Sequence, residues 1–256
     1  MDNYGIITVD AINLALHPQA ICFINPRHPF YNQKVEWLKE RFRDGLVIKL
    51  LYVEGEKRPA GFIEYLPGGQ CWRAVSAAGF LFIHCIWVNA VKYKNQGLGS
   101  MLIEACMADA IERDYNGVAV MTSSGSFMAD KSLFMKNGFG IVANDLTHDL
   151  LVKRLREAPV PFFNNWRAAL KDYRGLHMVY SRQCPWVARF VTEVNGSLVK
   201  RGVAVTITEL DTPQKAQQAP SPYAVFNLIN DGRLLADHYI SETRLMNILK
   251  KEKLVS

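Results

Sequence analysis

A basic segment with two glycines, KYKNQGLGSMLIEA at residues 92–105, carries the clearest chemical signal in the chain. Lys92 and Lys94 precede Gly97 and Gly99, and apolar residues then recur at helical spacing. A helix N-terminus presents unpaired N–H groups and a partial positive charge, and glycine lets a ligand approach the backbone closely. The segment therefore predicts either a phosphate-holding loop or an ordinary tight turn, since glycine-rich turns before helices are common.

Two well-known phosphate motifs do not fit this segment. The Walker loop ends in Gly-Lys-Ser/Thr, whereas Gly99 is followed by Ser100 and Met101. The dinucleotide fingerprint needs a third small residue at the position of Leu102. A metal site is not predicted either, because the six histidines have neither H-x-x-x-H spacing nor neighbouring cysteines.

The elements that must position the loop follow from hydrophobic periodicity and turn signals. Helices are predicted at 34–42, 98–113 and 129–136, the last of them ended by Asn137-Gly138. Strands are predicted at 46–53, 60–65, 80–88, 118–122, 139–143 and 148–155. The sequence EGEKRP reads as a hairpin connection between the first two strands.

A second set of elements follows a proline-containing segment, EAPVPFFNNW. Strands are predicted at 176–180, 203–209, 223–228 and 234–239, and helices at 185–194 and 242–250. Asp231-Gly232 predicts a hairpin turn, and Ser241 caps the last helix. We therefore predict domains at 1–156 and 172–256, joined by a linker at 157–171.

Composition narrows the class of protein. The 256 residues are 49% hydrophobic, with a net charge of +6 and a pI of about 9.0, but no block of like charges marks a nucleic-acid tail. Five dispersed cysteines favour reduced thiols in a cytoplasmic protein, and no signal peptide is visible. The charge-free run 74–91 is at the lower limit for a membrane helix, but its β-branched and aromatic core favours a buried strand.

The loop resembles the pyrophosphate loop of the GCN5-related N-acetyltransferase (GNAT) superfamily, Gln/Arg-x-x-Gly-x-Gly/Ala. Lys94-Asn95-Gln96-Gly97-Leu98-Gly99 matches it, with Lys94 in place of Gln or Arg. The sequence KNGFGIV matches a Gly-Phe step common in the superfamily. The resemblance covers residues 1–156, and the HCIWV strand together with the C-terminal part is similar to the smaller YoaP-type group.

The resemblance implies an α/β (α+β) fold with a mixed, mostly antiparallel, splayed sheet. It implies acetyl-CoA as co-substrate, no metal, and transfer of the acetyl group to a primary amine by direct attack. The pyrophosphate would bind the backbone amides of the loop, and the pantetheine arm would pair with the splayed strand; these residues are Lys94, Asn95, Gln96, Gly97, Leu98, Gly99, Ser100, Ile86, Trp87 and Val88. Two alternatives stay open: a longer acyl-CoA as donor, or a non-catalytic acyl-CoA sensor with a monothiol redox domain.

The catalytic groups are less well marked. Phe134 stands where relatives carry a tyrosine acid, and Phe127 and Met128 stand where an asparagine is usual. His84 is the first candidate for the general base, because some relatives place a histidine on this strand and its unperturbed pKa suits proton transfer. Glu64 is the second candidate, and water-relayed catalysis is the alternative to both.

Structural roles are the competing interpretation of the same residues. His84 would then be a strand histidine bonded to a carbonyl, and Glu64 an exposed strand carboxylate. Simple alternation places Cys85 on the opposite face from His84, where a buried thiol is the default.

The C-terminal region is similar to the thioredoxin fold. Cys184-Pro185 begins a helix after a strand, where that fold has its nucleophilic cysteine, and Pro222 matches its cis-proline. Val187 occupies the position of the resolving cysteine, so only monothiol chemistry at Cys184 or a scaffold role is open.

The expected partner is a small-molecule or peptide amine, bound by segments 22–45 and 66–79. Neither nucleic acid nor membrane is expected as a partner, and a homodimer is an open alternative.

Overall fold

The computed structural model describes residues 4–20, 22–89, 91–125, 128–145 and 147–255. The chain folds into two compact units. The first comprises Met1–Cys71 and Ser76–Phe162, and the second comprises Trp72–Val75 and Phe163–Ser256. Segment 157–171, interpreted above as a linker, contains a two-residue strand and a five-residue helix.

The first unit is built on a seven-stranded sheet. Its strands are β1 (Tyr4–Val9), β2 (Val47–Val53), β3 (Gly61–Pro67), β5 (Leu81–Val88), β6 (Gly117–Ser123), β7 (Gly140–Asp145) and β8 (His148–Arg154); β4 (Val75–Ser76) is a separate two-residue strand. The order is β1-β2-β3-β5-β6-β8-β7, with β5 and β6 parallel and the other neighbours antiparallel. The predicted mixed, mostly antiparallel sheet is confirmed.

Three helices accompany this sheet: α1 (Tyr31–Arg43), α2 (Leu98–Glu112) and α3 (Lys131–Lys136). Short 3₁₀ turns lie at Leu14–Leu16, Pro18–Ala20, Gly68–Gln70 and Val91–Tyr93. The apolar side of α2 packs on β3, β5 and β6 in one buried cluster that includes Leu102, Ile63 and Val120. The Tyr65 hydroxyl donates to Asp109 Oδ2 at 2.5 Å, which fastens α2 to β3.

Turn signals in the sequence correctly predicted the positions of several elements. The β2–β3 hairpin is confirmed, and α3 ends at Asn137 with Gly138 at φ +84°, a conformation that glycine adopts readily. The charge-free run 74–91 supplies strand β5. Among the described residues, no helix has both the length and the apolarity needed to cross a membrane. Strand β1 was missed, although it pairs with β2 along its whole length.

Strands β5 and β6 diverge after a short parallel ladder. Only Leu81–Ile83 pair with β6, opposite Val118–Val120. Beyond Ile83 the β6-facing edge of β5 has no strand partner in the part of the chain that the structure describes. The sheet therefore contains a fork that opens toward the carboxyl ends of both strands.

A β-bulge interrupts β5 at the same level. Glu64 pairs with Cys85 and Tyr65 with Ile83, so His84 is the extra residue of β5. Side chains of directly paired residues share a face, which puts Cys85 on the face of Glu64, the residue that His84 also contacts. The prediction that Cys85 and His84 face opposite sides is therefore wrong, because a bulge breaks strict alternation.

The second unit contains a four-stranded sheet. After the two-residue strand β9 (Phe162–Phe163) its strands are β10 (Leu176–Tyr180), β11 (Thr206–Glu209), β12 (Phe226–Asn230) and β13 (Arg233–Ala236), in the order β11-β10-β12-β13. Its helices are α4 (Trp166–Leu170), α5 (Pro185–Lys200), α6 (Pro213–Gln217) and α7 (Glu242–Lys251). β10 is parallel to β11 and antiparallel to β12, which forms a hairpin with β13.

Three details of this unit test the sequence interpretation. Asp231 and Gly232 have φ of 47° and 74°, so the predicted hairpin turn is confirmed. Helix α5 runs six residues past its predicted end, through Gly196, because Leu198 continues its buried face. No cis peptide bond occurs among the described residues, so Pro222 is trans and the expected cis-proline is wrong.

Candidate functional site

The glycine loop ends as the N-terminus of α2. Gly97 is the N-cap in a left-handed conformation at φ +83°, and Asn95 is also left-handed at φ 62°. The first helical bond runs from Met101 N–H to the Gly97 carbonyl at 3.1 Å, so the amides of Leu98–Ser100 precede the helical ladder. A Cβ added at Gly97 would meet nothing within 4 Å. The loop thus combines amides that precede the helical ladder with open space beside Gly97.

Neighbouring contacts hold this loop in place. Gln96 Nε2 donates to the Lys92 carbonyl at 2.6 Å, and Lys92 pairs with Glu56 at 2.5 Å. Ser100 Oγ accepts from Asn137 Nδ2 at 3.0 Å, which links the start of α2 to the end of α3. Lys94 is exposed on the loop. The structure therefore brings the predicted loop residues 94–100 together at one helix terminus.

The residues predicted to pair with the pantetheine arm lie at the end of β5, whose last residue, Val88, precedes the α2 N-cap Gly97 by nine positions. Ile86 and Val88 pair with β3 through Ile63 and Gly61, while the other edge of β5 at this level faces the fork. Trp87 is about half exposed at the end of the strand. An unpaired strand edge presents alternating N–H and C=O groups to a ligand, so it could accept an extended amide chain.

His84 and Glu64 meet in a buried ionic cluster. His84 Nδ1 lies 3.7 Å from Glu64 Oε1, and Lys34 Nζ lies 3.2 Å from Glu64 Oε2. The exposed fraction is 7% for His84, 1% for Glu64 and 1% for Lys34. Glu64 is therefore not the exposed strand carboxylate of the structural interpretation. It is a buried anion between a lysine and a histidine.

Electrostatics separate the roles of these groups. Burial on its own would raise the pKa of the Glu64 carboxyl, but Lys34 and His84 outweigh it and lower that pKa to about 2. A carboxylate of such low basicity is a weak general base near neutral pH. It can instead orient and stabilise a neighbouring imidazole, so His84 is the stronger candidate for accepting a proton.

Sequence reasoning missed Lys34. It lies on α1, which packs on the sheet face that carries Glu64, and its Nζ is 3.9 Å from the ring centroid of Trp37. A signal was present, because Lys34, Leu38 and Arg41 follow i, i+4, i+7 spacing on the buried face of the helix. A charged residue at a buried helical position indicates a buried partner, which here is Glu64.

Phe134, at the position of the expected acid, is part of the apolar core. It is fully buried, and its ring packs edge-on against Phe139 with centroids 5.5 Å apart. It has no proton to donate. Of the two residues at the position of the usual asparagine, Phe127 lies outside the described residues.

Cys184 belongs to the second unit. It is the N-cap of α5, is partly buried, and is followed by Pro185 in the first turn. Val187, at the resolving position, is buried in that unit's core. Cys184 thus has the helix N-terminal setting that favours a thiolate. No group of three or more His, Cys, Asp or Glu side chains suited to a metal ion occurs in the described part of either unit.

Comparison with known families identifies the class of protein. Residues 15–139 match the profile described as "Acetyltransferase (GNAT) family", and residues 205–247 match one described as "YoaP-like". The chain therefore carries an acetyltransferase domain of the GNAT family followed by a YoaP-like domain. The chain is 28% identical to the uncharacterized N-acetyltransferase YoaP of Bacillus subtilis (strain 168) over 231 residues. This alignment covers 88% of the present chain and 87% of that protein.

Solved structures with lower sequence identity align to part of the chain. The PaiA N-acetyltransferase from Thermoplasma acidophilum, in complex with coenzyme A, is 12% identical with a TM-score of 0.42, over 59% of this chain and 99% of that one. An acetyltransferase from Thermus thermophilus is 17% identical with a TM-score of 0.43, over 60% and 97% of the two chains.

Glu64→Gln tests the buried cluster. We expect it to lower the free energy of unfolding at pH 7 by roughly 3 kcal/mol, because it leaves Lys34 buried without its anion. The folded pKa of Glu64 lies below its usual value of 4.5, so its contribution is present above about pH 4.5 and is lost as the pH falls toward 2. Urea unfolding at pH 7 and pH 3.5 should show a smaller gap between the two proteins at the lower pH.

Glu56→Gln is the matched control. Glu56 also pairs with a lysine, but both side chains are substantially exposed. It should therefore leave stability unchanged within error at both pH values. Equal losses for the two variants, or a gap for Glu64→Gln that does not change with pH, would contradict the described cluster.

Proposed function

We propose that this protein is an acetyl-CoA-dependent N-acetyltransferase that acetylates a primary amine by direct attack. One observation carries the proposal: the fork between β5 and β6 opens at the same ends of the strands from which the chain leads into the bare N-terminus of α2. An unpaired strand edge suits a pantetheine arm, and a helix N-terminus suits a pyrophosphate.

The residues of the loop fit this co-substrate. The amides of Leu98, Gly99 and Ser100 would hold the pyrophosphate, and the open space at Gly97 allows close approach. Lys94 adds an exposed positive charge. The backbone of Ile86–Val88 would pair with the pantetheine arm. Acetyl-CoA, when bound, supplies an activated acetyl thioester.

His84 acts as the general base in this proposal. It takes the proton from the amine, while Glu64 orients the imidazole and stabilises its charged form. Lys34 keeps Glu64 ionised, so the carboxylate does not compete for the proton. His84, Cys85 and Glu64 share the face of the sheet opposite α2, so the amine is expected to approach from that face.

The acceptor is proposed to be a small-molecule or peptide amine, and a longer acyl-CoA is the alternative donor. We further propose a cytoplasmic location.

For the second unit we propose a thioredoxin-like domain, supported by its β10-α5-β11-α6-β12-β13-α7 order and by the β11-β10-β12-β13 sheet. With Val187 at the resolving position, we propose a scaffold role for this domain rather than two-thiol exchange.

Thiol release from acetyl-CoA across a library of primary amines, followed with a thiol-reactive dye, tests the proposed reaction. We expect turnover with at least one amine. We also expect His84→Gln, which keeps a polar side chain but cannot cycle a proton, to lower kcat about 100-fold with little change in acetyl-CoA affinity. Its rate should no longer rise with pH through a single ionisation.

Glu112→Gln, a change near the far end of α2, is the control and should behave as wild type. Tight acetyl-CoA binding without turnover of any amine would sink the enzyme proposal and favour the sensor. A wild-type pH profile in His84→Gln would clear His84 of the base role.

Gly97→Ala tests the placement of the pyrophosphate. The new Cβ would occupy open space beside the loop that the proposal assigns to the pyrophosphate, so acetyl-CoA affinity should fall at least 10-fold in calorimetry. Gly202→Ala is a matched control, because Gly202 also has a positive φ of +69° and an unobstructed Cβ position. Both variants carry similar backbone strain, so equal coenzyme affinity in the two would contradict the placement.

A further inference from the structure

An unpartnered hydroxyl lies beside the fork. Thr122, on β6, is 1% exposed, and its Oγ1 has no hydrogen-bond partner among the residues that the structure describes. A buried hydroxyl without a partner is unfavourable and uncommon in native proteins. The rest of β6 is almost wholly apolar, so packing alone would favour valine at this position.

The strand register places this hydroxyl beside the fork. Val120 is the last residue of β6 paired with β5, and Thr122 is the second residue beyond it. Continuing the parallel register from the pair Ile83 and Val120 brings Thr122 level with Cys85, next to the bulged His84. Thr122 and His84 therefore lie at the same depth, on opposite sides of the opening.

The two groups face opposite surfaces of the sheet. Val118 and Val120 point into the cluster that packs against α2, and strand alternation gives Thr122 the same direction. His84 shares the other face with Glu64. The α2 face carries the loop that would hold the coenzyme phosphates, so Thr122 lies on the coenzyme side and His84 on the amine side.

Phe134 belongs to the same apolar cluster as Val120. This side of the fork therefore lacks the acid that a tyrosine at residue 134 would supply, while Thr122 supplies a hydroxyl on the same face of the sheet. We infer that Thr122 Oγ1 is the hydrogen-bond donor to the thioester sulfur, and that it stabilises the leaving thiolate.

The chemistry requires no additional acid. His84 removes the amine proton as the new C–N bond forms and the C–S bond breaks. Thr122 keeps its own proton and donates a hydrogen bond to the sulfur as negative charge develops there. The thiolate then takes a proton from water, and His84 returns the amine proton to the resulting hydroxide through the solvent, which restores the neutral imidazole. Each proton is accounted for without a group at residue 134.

The inference rests on the proposed function, and binding separates the two. We would measure the dissociation constants of coenzyme A and of desulfo-coenzyme A, in which hydrogen replaces the thiol. Wild type should prefer coenzyme A about fivefold, as one hydrogen bond to sulfur provides. Thr122→Val should bind both equally, and Thr122→Ser should keep the preference.

Two further readouts exclude a merely structural role. Thr122→Val without ligand should unfold at the same temperature as wild type or higher, because it removes an unpartnered buried hydroxyl. Its kcat should fall about 10-fold while its affinity for desulfo-coenzyme A is unchanged. Ser123→Ala is the control, because the Ser123 hydroxyl faces the other way and accepts from the Gly125 amide at 3.1 Å. It should keep the wild-type preference.

Failure would be unambiguous. Wild type that binds neither compound would overturn the proposed function and this inference with it. Wild type that binds coenzyme A, together with a Thr122→Val variant that keeps the preference or loses thermal stability, would overturn the role of Thr122 alone.

Discussion

The unpaired edge of β5 is the constraint on which the rest of the site depends. Backbone N–H and C=O groups that leave a ladder need other partners, and β5 leaves its parallel neighbour after Ile83. Parallel strands can diverge here because β6 is held on its other edge by β8 over seven residue pairs. The fork is thus kept open by pairing on both outer sides. Helix α2, fastened to the sheet through Tyr65 and Asp109, brings its N-terminus to the open end.

The bulge at His84 and the buried ion cluster determine which side chains lie on each face of the sheet. The bulge puts His84 and Cys85 on one face, so the histidine can meet Glu64 while Ile86 still packs toward α2. Glu64 is stable in the interior only because Lys34 and His84 compensate its lost hydration. A carboxylate held so firmly ionised leaves the imidazole as the group able to exchange a proton. In the proposed reaction, the amine would therefore approach one face of the sheet and the coenzyme would bind at the other.

Local signals in the sequence were enough to predict much of the fold. The glycine pair, the Asn137-Gly138 stop and the two hairpins are short-range features, and each appears where the turn chemistry requires it. What failed was non-local. The bulge is created by pairing between β3 and β5, so no spacing within β5 could show that Cys85 would join the face of His84. The inclusion of Trp72–Val75 in the second unit likewise depends on tertiary contacts.

Site residues divide along the same line. Gly97 and His84 could be selected from residue type and context, and the resemblance supplied their expected roles. Lys34 and Thr122 could not, because a lysine in a helix and a threonine in a strand are ordinary until their burial is known. Both carry a recognisable sign in retrospect: a polar side chain at a position whose periodicity calls for an apolar one.

Amide hydrogen exchange with and without coenzyme A tests the central claim most directly. If the fork and the α2 terminus hold the coenzyme, protection should increase in peptides covering Ile86–Val88 and Leu98–Ser100. Peptides from the β10–β13 sheet should be unchanged. Binding that leaves both of these segments unprotected, or that protects the second unit instead, would contradict the account.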